Sequence, residues 1–236
     1  MTMHAFVMNY SYLLSTVAYI AVVLMLGRFT LPREQFRLMH LTGLTSAPVG
    51  VLCFFLEGNY WTPPRLGGLR IGIEDILIGY AVGMLPWYLV AVVWRRRLQV
   101  RFHWPAVLRR YVVAGAGCDL TYLVTVWVGM DPMTGMLITY GLGAVALWLF
   151  RRGNWPLAAT GVLQFPVVWF CVVAFTFWLF PEFIFKFNLA GNWGRPVFGV
   201  PVGEIAWAFT FGVFWPLFTA VIFNVEIERQ PVAGQA

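Results

Sequence analysis

The chain has 236 residues, of which 60% are hydrophobic and 11% charged, with a mean hydropathy of +0.75. That composition excludes an ordinary soluble domain and predicts an all-α polytopic membrane protein folded as one bundle, with the lipid bilayer as its first partner. A net charge of +6 would suggest nucleic acid in a soluble chain, but here the arginines cluster between apolar runs. Membrane topology accounts for them, and no nucleic-acid partner is expected.

Apolar runs long enough to enter hydrocarbon lie near 5–27, 41–56, 73–94, 111–130, 135–150, 157–180 and 202–224, predicting about seven transmembrane helices. No Lys or Arg precedes Arg28, so the first run lacks the basic flank of a signal peptide and is expected to be retained. With the N-terminus outside, the inner segments carry Arg28, Arg33, Arg37, Arg95, Arg96, Arg97, Arg101, Arg109, Arg110, Arg151, Arg152 and Arg229. Of the 16 basic residues this leaves only Arg65, Arg70, Lys186 and Arg195 outside. The bias predicts the N-terminus outside and the C-terminus inside.

Two stretches then open helices from the outer face: Ile71-Gly72-Ile73-Glu74-Asp75 and Val200-Pro201-Val202-Gly203-Glu204. Aligned on each other, Asp75 meets Glu204 and Gly83 meets Gly212. Each follows a polar, aromatic, Pro/Gly-bearing loop, the first holding Asn59, Tyr60 and Trp61 and the second Asn192 and Trp193. Two parallel three-helix repeats, 1–100 and 132–225, joined by a linking helix within 101–131, account for this pattern. The tail from 226 to 236 reads as an unstructured cytoplasmic segment.

An ionisable side chain at bilayer depth costs roughly 2.5 to 3.5 kcal/mol on insertion scales, so it marks a candidate functional site. Glu74 and Asp75 are adjacent, which on a helix sets them about 100° apart; one is expected to face a cavity and the other a neighbouring helix or loop. The plainer alternative is that both only complement the positive end of the helix. Asp119 is expected to bond Thr121, Tyr122 or an arginine in a structural role.

Cys53, Cys118 and Cys171 lack paired spacing and read as small core residues. His4, His40 and His103 sit at ends or in loops, which disfavours haem, and a retinal Schiff base would need a mid-helix lysine, whereas Lys186 lies in an outer loop. Gly115, Gly117, Gly141 and Gly143 read as close helix contacts. The aromatics serve mostly as interfacial and lipid-facing residues. Tyr60, Trp61, Trp193, Trp207 and Trp215 lie near the acids, where ring faces could stabilise a carbocation.

The two acidic stretches resemble the repeated Pro-x-Glu-Glu motif of the membrane-integral lycopene cyclase domain family, and Tyr60-Trp61-Thr62-Pro63-Pro64 is similar to the segment before its first motif. This chain departs at Gly72, in place of the first proline, and at Gly203, in place of the second motif's first acid. The resemblance implies a multi-pass enzyme of a cell inner membrane that cyclises the end of a linear carotenoid or other isoprenoid by protonation. There would be no net redox change, no metal and no required cofactor, although no sequence feature rules out a bound flavin. It implies Glu74 as general acid, Glu204 or Asp75 as base or second acid, and Tyr60, Trp61, Trp193, Trp207, Trp215, Asn59 and Asn192 around the substrate. Two other readings compete. One is a non-catalytic carotenoid-binding or accessory subunit of a membrane complex or oligomer. The other is a small sugar carrier of the SWEET type, whose paired prolines are missing from 5–27 and 135–150.

Overall fold

The computed structural model describes residues 3–101, 103–191 and 193–228, with side chains from Tyr10 onward. Asn192 and Arg229 therefore lie outside the described residues. The long helices are α1 (Met3–Thr30), α2 (Arg33–Ser46), α4 (Ile73–Trp94), α5 (Trp104–Trp127), α6 (Pro132–Phe150), α7 (Trp155–Leu179) and α8 (Val202–Ile222). A 3-10 stretch, Ala47–Leu52, and the short α3 (Cys53–Leu56) continue the course of α2.

The helix starts follow local chemistry. Proline occupies the first turn of α5, α6 and α7, where a missing N–H costs nothing. Asp131 caps α6 by accepting the Thr134 amide at 3.0 Å. The second helix begins at Arg33, not near residue 41, because the charged segment after Pro32 continues the helix beyond its apolar part.

Among the described residues, six helices are long and apolar enough to cross a membrane: Tyr10–Thr30, Arg33–Leu56, Ile73–Trp94, Pro132–Phe150, Arg152–Leu179 and Val202–Ile222. The chain is a polytopic helical membrane protein. The seventh expected span coincides with α5, which carries Arg109, Arg110 and Asp119 and does not reach the hydropathy of the other six.

The helices α4 and α8 form the centre. In their most apolar windows 61% and 72% of residues are buried, against 22 to 33% for the other four spans. Helix α4 packs on α1 and α2, and α8 on α6 and α7. The two central helices meet where Trp215 Nε1 donates to the Gly83 carbonyl at 2.8 Å. Close backbone approach tightens each set: a Cβ on Gly161 would lie 2.1 Å from the Gly212 carbonyl oxygen, and one on Gly50 would lie 2.0 Å from that of Asp75. By contrast Gly115, Gly117 and Gly141 face open space, and of the glycines expected to make close contacts only Gly143 does so, against Phe214. Cys171 is exposed on α7 and is not a core residue.

One end of the bundle gathers arginines. Arg95 donates to the Thr30 carbonyl, Arg110 to that of Val221, and Arg151 to the Asn224 side chain. There β1 (Leu98–Val100) pairs antiparallel with β4 (Val225–Ile227), so the expected tail opens as a strand, with Glu226 opposite Gln99. At the other end β2 (Pro196–Val197) and β3 (Val200–Pro201) form a hairpin turning on Phe198 and Gly199, both at positive φ, and lead into α8. That end also holds Glu57, Arg65, Asp75 and Glu204.

Candidate functional site

Between the two helix sets, at the acid-bearing end, lies an apolar cavity with about 1120 Å³ of empty space counted out to its mouth. Helices α1, α4, α6, α7 and α8, the α2–α3 segment and the 183–187 turn line it. Glu204 is the one carboxylate on its wall among the described residues. Glu204 sits in the first turn of α8, placed there by the hairpin that ends at Pro201. Its Oε1 accepts from the Tyr60 hydroxyl at 3.1 Å and its Oε2 from the Trp169 indole N–H at 2.9 Å.

Tyr60 is buried in the loop before α4. Burial pushes its phenol well above the usual tyrosine range, and the neighbouring Glu204 carboxylate raises it further. It therefore stays a hydrogen-bond donor at every physiological pH. Gly203 makes this pairing feasible, since a Cβ there would come within 2.7 Å of the Tyr60 ring. The position where the second motif lacks its first acid is filled by that phenol.

Rings continue inward from Glu204 along α8. Trp169 and Trp207 lie 5.1 Å apart between centroids, and Trp207, Phe211, Trp215 and Phe218 stack in succession at 4.8, 5.1 and 5.1 Å. Trp207 and Phe211 line the cavity.

Neither acid of α4 reaches the cavity wall, which corrects the expectation that one of them would. Asp75 is fully buried. Its Oδ2 accepts from Arg65 Nε at 2.7 Å and the Gly72 amide at 2.8 Å; its Oδ1 accepts from Tyr12 at 3.1 Å and Arg65 Nη2 at 3.3 Å. Arg65 also pairs with Glu57. Burial alone would lower the guanidinium pKa, but its bonds to Asp75 and Glu57 outweigh that and raise it. Asp75 is thus a structural anchor that touches the cavity only through wall residues such as Tyr12, which bonds its carboxylate.

Glu74 turns to the loop instead, accepting the Leu66 amide at 2.8 Å on Oε1, with Oε2 buried against Gly72. A Cβ on Gly72 would lie 2.2 Å from that oxygen, so glycine in place of the motif's proline makes room for the carboxylate. The geometry gives Glu74 no route to a substrate in the cavity.

Of the aromatics named from the sequence, Tyr60, Trp61 and Trp207 line the cavity. Trp215 is buried behind it, bonded to Gly83. Trp193 donates to Thr134 at 3.2 Å and, with the exposed Asn59, borders a separate pocket. Asp119 stands exposed on α5 beside a second cleft, while the Thr121 hydroxyl turns to the Gly117 carbonyl. Sequence reasoning missed Tyr12, Arg65 as the partner of Asp75, and Trp169. Only Arg65 carried a signal, as a lone basic residue ten positions before a buried acid.

No family model, no curated protein and no solved structure matches the chain, so the site is read from its own geometry.

Proposed function

We propose that this chain binds a linear isoprenoid polyene in the cavity and cyclises its end group, with Glu204 as the proton donor. The observation that carries this reading is a single wall carboxylate among the described residues, held between Tyr60 and Trp169, at the head of a mostly apolar, aromatic-lined cavity open to a hydrophobic ligand. In its protonated form Glu204 gives a proton to the terminal alkene. The next double bond closes a carbon–carbon bond onto the resulting centre and leaves a tertiary cation. The faces of Trp169, Trp207 and Phe211 lie where they lower the energy of that cation. Loss of a proton from the adjacent carbon to the Glu204 carboxylate restores the acid and sets the ring double bond, with no net redox change.

This assignment moves the acid role from Glu74 to Glu204 and makes Asp75 a positioning residue that holds Tyr12. The lycopene cyclase domain family is the nearest chemical parallel. The proposal includes its two-repeat architecture, in which α1, α2 and α4 correspond to α6, α7 and α8, with α5 as the link. It also places the arginine-rich end inside a cell inner membrane and the acid-bearing end outside.

Co-expression in a lycopene-accumulating host, followed by pigment chromatography, tests the reading. Wild-type chain should yield cyclised product and Glu204→Gln should not. Pigment that co-purifies with the wild-type chain yet stays linear would replace the enzyme with a binding protein.

A further inference from the structure

The cavity wall carries more unsatisfied oxygen than a hydrocarbon ligand would use. Thr16 and Ser46 are each 1% exposed, both line the cavity, and neither hydroxyl has a hydrogen-bond partner among the described residues. The Tyr19 hydroxyl, on the same wall and buried, is also without one.

A helical Ser or Thr ordinarily returns its proton to a carbonyl one turn back. Elsewhere in the bundle that happens: Thr176, on the same wall, bonds the Val172 carbonyl at 2.8 Å, and Thr160 bonds that of Pro156 at 2.8 Å. At Thr16 and Ser46 the carbonyl four residues back is already bonded by the neighbouring hydroxyl, in the same way at both places. Ser15 occupies the Tyr12 carbonyl at 3.1 Å, and Thr45 occupies the Thr42 carbonyl at 2.9 Å. Each pair of adjacent hydroxyl residues therefore satisfies one member internally and leaves the other unpartnered on a residue of the cavity wall. Thr139 and Thr219 are also unpartnered, but neither lines this cavity.

The two free hydroxyls lie inward of the acids. Thr16 is one turn along α1 from Tyr12, which bonds Asp75, and Ser46 packs between Gly79 and Gly83 on α4. Both positions are one to two helical turns from the Asp75 level, on the order of 5–11 Å. Buried hydroxyls are rarely left bare, and a site built to bond a ligand oxygen discriminates strongly against an analogue that lacks it.

We propose that the ligand is an oxygenated isoprenoid, a linear apolar chain with a hydroxyl or carbonyl group, and that Thr16 and Ser46, assisted by Tyr19, hold that oxygen. The inference rests on the reading of the cavity as an isoprenoid site and narrows its substrate class. Both hydroxyls donate and accept, so either oxygen type fits.

The test is a binding titration on the purified full chain in nanodiscs, read by quenching of tryptophan fluorescence. Its matched probes are lycopene against 1-hydroxylycopene, and geranylgeraniol against the hydrocarbon lacking its hydroxyl. In at least one pair the oxygenated member should bind about tenfold tighter or more. A Thr16→Val, Ser46→Ala double variant, which keeps shape at both positions, should erase the preference and leave hydrocarbon affinity within about twofold. Equal affinities within both pairs, or a preference that survives in the double variant, would overturn this inference alone. Failure of all four probes to bind would overturn it together with the isoprenoid reading of the cavity.

Discussion

Glu204 stands apart from the other acids because of where its oxygens point. Both are met by side-chain donors that ring the cavity, whereas Asp75 and Glu74 are met largely by backbone amides and a guanidinium outside it. Glu204→Gln is expected to lower ring formation by ~100-fold or more, at the lower end of what positioned acid catalysis supplies, with expression unchanged. Pigment chromatography at matched protein levels measures this. Glu74→Gln should leave turnover within about threefold, since its carboxylate only closes the Leu66 turn; a loss as large as that of Glu204→Gln would return the acid role to α4. Gly203→Ala drives a methyl into the Tyr60 ring, and the bond between Tyr60 and Glu204 should weaken with it. Activity should fall while the chain still folds, because the displaced phenol lies at the cavity wall and not between packed helices.

At the scale of elements, the first turn of α4 is an electrostatic joint. Arg65 reaches from the preceding loop to Asp75 and Glu57, and Tyr12 reaches from α1 to the same carboxylate, so one aspartate ties loop, α1 and α4 together. Breaking a buried pair on one side leaves an uncompensated charge, typically worth about 3–5 kcal/mol. Asp75→Asn should therefore lower the thermal midpoint followed by size-exclusion chromatography. Replacing both partners, Arg65→Met with Asp75→Leu, should recover much of that loss. The joint between α7 and α8 is steric. Gly161→Leu would force apart backbones that approach at Gly212 and should lower stability by overpacking that contact.

On the scale of the whole molecule, the two ends of the bundle differ in charge as the arginine bias requires. Exposed positions at each end make the orientation measurable. Leu69 and Phe198 are 62% and 91% exposed at the acid-bearing end, and Arg96 is exposed at the other. Single cysteines at 69 and 198 in a cysteine-free background should react with an impermeant maleimide on intact cells, and one at 96 should react only after lysis. The opposite pattern would invert the orientation and place Glu204 at the inner face.

The membrane class, the positions of the long helices and the gathering of arginines at alternate loops were legible in the sequence, because hydrophobicity and charge act locally along the chain. The apolar runs marked the helix courses even where charged residues carried α2 further and hydropathy set α5 apart from the other spans. Which acid meets a cavity was not legible. Glu74, Asp75 and Glu204 share a motif and a helix-start position, and their different surroundings depend on partners outside their own helices: Leu66 and Arg65 in the loop before α4, Tyr12 on α1, and Tyr60 and Trp169 from that loop and α7. Side-chain direction at a helix start is decided by what packs against it, and those contacts exist only once the two helix sets have come together.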